Sequence, residues 1–235
     1  MTTKLFNTLA AATTLAGIVA TSGAANAASL SYTSSSNYDL TDIIDAPLSV
    51  QQFNSSLGTL QGVTIEFTGD ILGNAGFENR SQTPGQVTLN LTSDFSLQLN
   101  NQSLLEFNPQ YTYSYQVAKY DGNLDYGGTS GKTVSNLTAT QSATQSFTNP
   151  QFLQSFIGNS NIDFLFSALA NSVVTGSGNI RSYVDTYAKA NIKVTYDYDD
   201  VKSVPEPSAT LGVGLIAGLC LLSQRKKSWL KVSNS

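Results

Sequence analysis

Apolar residues recur at every second position through the middle of the chain, and this spacing limits the possible folds more than any other feature. Val63, Ile65 and Phe67 alternate with Thr64, Glu66 and Thr68. Val87, Leu89 and Leu91 continue in the same parity to Phe95, Leu97 and Leu99, with Ser93-Asp94 expected as a bulge or turn between them. Tyr111, Tyr113, Tyr115 and Val117 repeat the pattern, and Ile192, Val194, Tyr196 and Tyr198 close it. A period of two puts one side of each strand in a core and the other in water. Gly69-Asp70, Asn100-Asn101, Asp121-Gly122-Asn123 and Gly176-Ser177-Gly178-Asn179 read as turns between the runs. The expected fold is all-β, an antiparallel β-sandwich of jelly-roll or immunoglobulin-like type. One short helix is expected after Asn149, a capping residue. Pro150 fits its first position, Phe152, Leu153, Phe156 and Ile157 share a face, and Gly158 ends it.

Both ends of the chain differ from this middle. Residues 1–27, expected as a signal helix, have the three parts of a secretory signal: Lys4, an apolar stretch from Leu9 to Ala20, and the small-x-small site Ala25-Asn26-Ala27. The mature chain is expected to begin at Ala28 and to form an extracytoplasmic domain over 28–201. At the other end, Pro205 and Pro207 stop regular structure in a hinge at 202–208. The apolar run 209–222 would be about 21 Å long as a helix at about 1.5 Å per residue. That is short of the roughly 30 Å of a hydrocarbon core, as suits transient insertion. A basic tail at 223–235 follows, with Arg225, Lys226, Lys227 and Lys231 on the expected cytoplasmic side.

Val204-Pro205-Glu206-Pro207-Ser208, the glycine-containing apolar run and the Arg225-Lys226-Lys227 stop resemble the PEP-CTERM sorting signal of exported bacterial proteins. The resemblance covers about the last thirty residues. It implies processing by an exosortase-type membrane protease after export through the Sec translocon and cleavage by signal peptidase. It further implies release or transfer to the surface of a cell with a Gram-negative type of envelope, often one that makes extracellular polysaccharide. A second resemblance covers the domain. Phe53-Asn54-Ser55-Ser56-Leu57-Gly58-Thr59-Leu60 with Val63, Phe77-Glu78-Asn79, and Tyr120-Asp121-Gly122 through Asp125-Tyr126-Gly127-Gly128-Thr129-Ser130-Gly131 are similar to the choice-of-anchor E domain. That group brings no catalytic residues to carry over.

Charge and residue usage remove whole classes of function. Residues 28–201 hold 15 acidic and 6 basic side chains, a net charge of −9, whereas the whole chain carries −4. The basic balance therefore lies at the two ends, and an acidic domain does not offer the clustered Lys and Arg that nucleic acid needs. The chain has no histidine, which excludes a Ser-His-Asp triad, a Cys-His nucleophile and imidazole metal sites. Its single cysteine, Cys220, lies in the apolar tail, so the domain has no disulfide and no thiolate site. No cofactor is expected.

Three constellations remain. Asp121, Asn123 and Asp125 place oxygen ligands at alternate positions, as a calcium loop does, and the same residues make turns by bonding their own backbone. The glycine falls one place late for an EF-hand, and Lys132 stands where its bidentate Glu belongs. Glu66 and Glu78 are two carboxylates of the kind a glycosidase pairs, although Glu66 sits on the wet parity of its strand. Glu78 or Asn79 can instead satisfy backbone groups at a strand end. Tyr111, Tyr113 and Tyr115 share a face that belongs either to the core or to a glycan-stacking surface. The reading is a non-enzymatic exported protein with a structural or adhesive role in the envelope or exopolysaccharide layer. The alternatives are a carbohydrate-binding module using the tyrosine face and, behind it, an esterase or glycosidase.

Overall fold

A computed structural model describes residues 14–20 (backbone only), 27–176 and 178–201. The strands are β1 (Thr14–Ala20), β2 (Ala27–Ser35), β3 (Asp39–Leu40), β4 (Ile43–Gln51), β5 (Gly58–Asn79) and β6 (Gly85–Leu99). They continue with β7 (Gln102–Phe107), β8 (Gln110–Val117), β9 (Gly131–Phe147), β10 (Asn161–Ala170), β11 (Val173–Gly176) and β12 (Ile180–Asp200). One sheet runs β1-β2-β12-β5-β9, with β3 also on β12. The other runs β11-β6-β10-β4, with β7 and β8 on the opposite side of β6. Every strand pair is antiparallel, and the two sheets form the expected sandwich.

The core is the set of alternating residues facing each other between the sheets. Val63, Ile65 and Phe67 of β5 and Ile192, Val194 and Tyr196 of β12 face Leu89, Leu91, Phe95 and Leu97 of β6 and Phe164 and Phe166 of β10. Each fully buried side chain of this size contributes about 1.5–3 kcal/mol. Phe95 stacks on Phe107 at 5.7 Å, and both lie against Phe67 of the opposite sheet. A second aromatic group, Phe53, Phe156 and Phe164 with Tyr196, fills the end near the helix. The Tyr196 hydroxyl donates to the Gln51 carbonyl at 2.9 Å. Burial, with Tyr32 beside it, pushes its pKa well above the usual tyrosine range.

Two expected breaks are absent. Gly69-Asp70 lies inside the 22-residue β5 and makes no turn. A Cβ at Gly69 would stand 2.6 Å from the Phe95 ring, and one at Gly73 would stand 2.5 Å from Leu91. These glycines make room for large side chains of the facing sheet. Ser93-Asp94 is likewise continuous strand, with Ser93 at the buried parity donating to the Leu169 carbonyl. Asn100 and Asn101, both at positive φ, form the expected turn. The helix α1 (Pro150–Leu153) begins where expected. The Asn149 side chain accepts from the amides of Gln151 and Phe152, and a 3₁₀ turn over Gln154–Phe156 ends it.

Of the segment expected as a signal helix, residues 14–20 are strand β1, paired antiparallel with β2. The edge of β2 supplies the backbone partners, and β-branched Thr14, Ile18 and Val19 suit a strand. The remainder of the expected leader lies outside the described residues. So do the hinge at 202–208 and the apolar helix and basic tail expected at 209–235. Val201 opens a second unit, Val201–Ser235. Among the described residues no helix is long and apolar enough to cross a membrane.

Candidate binding face

The outer face of the first sheet is built from the wet parity of four strands. Register aligns those side chains in rows across β2, β12, β5 and β9. The first row is Ser31, Thr195, Thr64 and Ser146; the second is Thr33, Lys193, Glu66 and Thr144; the third is Ser35, Asn191, Thr68 and Ser142. Neighbours within a row meet directly. Ser31 Oγ lies 2.8 Å from Thr195 Oγ1, Thr64 Oγ1 lies 2.9 Å from Ser146 Oγ, and Thr68 Oγ1 lies 2.7 Å from Ser142 Oγ. Further along, Thr140 donates to Asp70 at 2.8 Å and the Asn191 amide donates to it at 3.2 Å.

Strand spacing of about 4.8 Å and a same-face repeat of about 6.7 Å turn these rows into a grid of donors and acceptors. A shallow depression of about 300 Å³ lies in it, lined by Thr33, Ser35, Glu66, Thr68, Asn191 and Lys193. Hydroxyls and an amide, beside one cation and one anion, supply the donor and acceptor types that exchange hydrogen bonds with a polyhydroxylated chain. A cleft of about 560 Å³ beside α1, lined by Phe53, Leu60, Leu153 and Ile157 among others, brings no titratable group.

The same face changes character at the far end of β5. There the segment between β8 and β9 covers it, and Glu78 is fully buried. Glu78 Oε1 accepts from the Ser130 hydroxyl, while Oε2 has no partner among the described residues. A Cβ at Gly131 would stand 2.2 Å from Oε2, so only glycine fits there. Asn79, also fully buried, closes the strand end. Its amide donates to the carbonyls of Thr83 at 2.9 Å and Ala118 at 2.8 Å, and its oxygen accepts from the Ser81 amide at 3.0 Å. Arg181, beside Glu78 on β12, donates to the Tyr126 hydroxyl in the covering segment.

The three sequence-derived constellations fare differently. Asp121 Oδ1 accepts from the Asn123 amide at 3.0 Å, and Asp125 Oδ1 accepts from the Gly127 amide at 2.9 Å. Both carboxylates thus serve backbone turns. The Asn123 amide holds the Asp121 carboxyl below the usual carboxylate range, with the Ser130 hydroxyl adding to the effect. No cluster of three or more Asp, Glu or Cys that could hold a metal occurs among the described residues.

Glu66 and Glu78 both lie on β5, twelve residues apart. At about 3.3 Å per residue they are separated by roughly 40 Å. A glycosidase pair sits within about 10 Å, so these two do not form one.

The tyrosines do share a face, and it is the inward one, opposite Val87, Leu89 and Leu91 of β6. Tyr115 packs on Phe77 at 5.2 Å under the Lys132 ammonium. The Tyr113 hydroxyl donates to the Thr138 carbonyl at 3.1 Å and accepts from its amide at 3.0 Å. Tyr111 remains 55% exposed, with its ring 4.6 Å from that of Tyr113. The sorting residues Val204, Pro205, Glu206, Pro207, Arg225, Lys226 and Lys227, and the cleavage-site residue Ala25, lie outside the described residues. Ala27 and Ala28 open β2. The hydroxyl grid was not read from the sequence. Only the wet parity of Thr64, Glu66 and Thr68 pointed to it.

No family model and no curated protein matches this chain. Among solved structures, one of infectious bursal disease virus, Gx strain, is 13% identical and covers 84% of this chain and 50% of its own, with a TM-score of 0.16. Another, of T=1 particles derived from infectious bursal virus, is 10% identical and covers 83% and 49%, with a TM-score of 0.14. This chain spans about half the length of those it matches. Scores at this level carry no argument about fold or function.

Proposed function

We propose that this is an exported, non-enzymatic surface or matrix protein, sorted by a C-terminal PEP-CTERM signal, with a structural or adhesive role in the exopolysaccharide layer. The outer grid of the first sheet is the observation that carries the adhesive part. It offers hydroxyls, an amide, one cation and one anion over four strands, with no aromatic platform and no paired nucleophile and base. Such a surface suits many weak hydrogen bonds to a neutral or mildly charged polysaccharide. The partners in delivery would be the Sec translocon, signal peptidase and an exosortase-type protease. The acidic domain, the leader and the Pro-Glu-Pro tail support that route.

The test is a glycan array probed with the protein recovered from the cell surface. Binding should fall at least several-fold in a Thr68→Ala, Asn191→Ala double variant whose melting temperature is unchanged. Loss only in Tyr111→Ala would favour the second reading, a carbohydrate-binding module centred on the exposed Tyr111 beside Tyr113. Absence of binding to any glycan would remove both. Hydrolysis of generic ester or glycoside substrates that disappears in Glu78→Gln would overturn the non-enzymatic reading.

A further inference from the structure

We propose that the processed protein assembles into open-ended filaments, the β9 edge of one copy pairing with the β2 edge of the next. This rests on the export reading, because it requires the leader to be cut away. In the full chain β1 pairs with the outer edge of β2, from Thr14 opposite Thr33 to Ala20 opposite Ala28. Cleavage after Ala27 separates the two and makes residues 28–35 the terminal strand of the first sheet. At the other side of that sheet β9 is already terminal.

Direction favours the pairing. The series β2, β12, β5, β9 alternates at every step, so β9 runs opposite to β2. A second copy displaced sideways, without being turned over, therefore brings its β9 antiparallel beside β2. The leader strand β1 occupies that slot in the same antiparallel sense. It acts as a plug standing where the neighbour's β9 would go.

The chemistry of the edges points the same way. Residues 28–35 and 137–147 contain no charge and no proline; Lys132 and the register shift of β9 between Val134 and Leu137 blunt only its first part, before this stretch. Edges that must stay single are blunted by charge, proline or a bulge. The second sheet has these devices. Its β4 edge carries Asp45 and Pro47 and a register shift. On its far side β7 holds Glu106 and is parted from β8 by Asn108-Pro109.

The backbone of β9 is also available. Thr138 presents both its N–H and its C=O to Tyr113, so its backbone faces away from β5. Antiparallel alternation gives the same outward direction to Thr140, Ser142, Thr144 and Ser146. A contact between two different edges is head-to-tail, and where the step between copies is a sideways displacement it does not close into a ring and propagates as a fibre. The row Ser31, Thr195, Thr64, Ser146 would then continue into the next copy, extending the hydroxyl grid along the filament.

The test compares protein isolated from the cell surface with full chains carrying Ala25→Lys, which blocks cleavage, or Thr144→Pro, which removes one outward N–H without touching the bonds to β5. Intact mass fixes the N-terminus of each, and light scattering with electron microscopy reads assembly. The chain beginning at Ala28 should show a several-fold, concentration-dependent rise in mean mass, and the two variants should remain monomeric. Should Thr144→Pro lose its circular dichroism spectrum, Thr144→Lys serves in its place and should also abolish assembly. A cleaved chain that stays monomeric overturns the filament and leaves the export reading intact. An uncut Ala25→Lys chain, or a folded edge variant, that assembles like the natural protein also overturns it. A natural protein whose mass still includes the leader overturns the export reading, and the filament with it.

Discussion

The two ends of the outer face of β5 are made from one strand and behave as different materials. From Thr64 to Asp70 its side chains stand in a wet grid in which every hydroxyl can be traded for water. At Gly76 and Glu78 the same parity lies under a covering segment, and beside it the inward-facing Asn79 closes the strand end; the carboxylate and the amide are both fully buried, away from any water that could replace a lost partner. Burial sets the cost of losing a hydrogen bond, since an exposed group falls back on solvent and a buried one does not.

The sharpest way to break this contrast is Asn79→Ala. It would orphan the carbonyls of Thr83 and Ala118 and the Ser81 amide together. A loss of about 3 kcal/mol or more is expected. At about 2–4 °C per kcal/mol for a chain of this size, the melting temperature should fall by about 6–12 °C. Ser130→Ala comes next, because it leaves the buried Glu78 without its hydroxyl donor. The expected loss is about 1–3 kcal/mol, measured by urea unfolding. If either variant melted like the natural protein, the covered end would be no different from the open one.

A third test uses pH. The folded Asp121 carboxyl is held below its ordinary range, so its contribution is present above the unfolded value of 3.8 and disappears as pH falls through the folded value. Melting curves of the natural protein and Asp121→Asn should differ at neutral pH and converge in acid. On the open face effects should be small. Thr68→Ala is expected to change stability by no more than about 0.5 kcal/mol. Asp197, also on the outer parity, has its carboxyl raised by burial, so its ionised form opposes folding as pH rises above 3.8. The group is largely exposed, so Asp197→Asn should raise stability at neutral pH by only a few tenths of a kcal/mol, with the gain fading in acid.

Strands with strong contrast between their two sides were legible in the sequence: β5, β6, β8 and β12 each follow the alternation read there. Gly69 misled because glycine in a strand resembles a turn until the Phe95 ring pressed against it is seen. In β9, mostly Ser, Thr and Gln, the apolar Val134, Leu137, Ala139, Ala143 and Phe147 fall at uneven spacings and offered no steady rhythm to read. In β10, Ile162, Phe164, Phe166 and Ala168 do alternate, but Leu165 at the partly exposed parity blurs the pattern. Asn79 was anticipated as a satisfier of backbone groups because a polar residue at a strand end has few other uses. The hydroxyl grid was out of reach, since its rows join residues from 31 to 195 that only strand register brings together.

The phenol of Tyr113 has a consequence for hydrogen exchange. By engaging both backbone groups of Thr138 it bolts β8 of one sheet to β9 of the other at a single point. In the lone molecule the Thr138 amide should exchange slowly while those of Thr140, Ser142, Thr144 and Ser146 exchange at once. Tyr113→Phe would erase that isolated slow signal. Joining a neighbour would instead spread slow exchange down the whole strand.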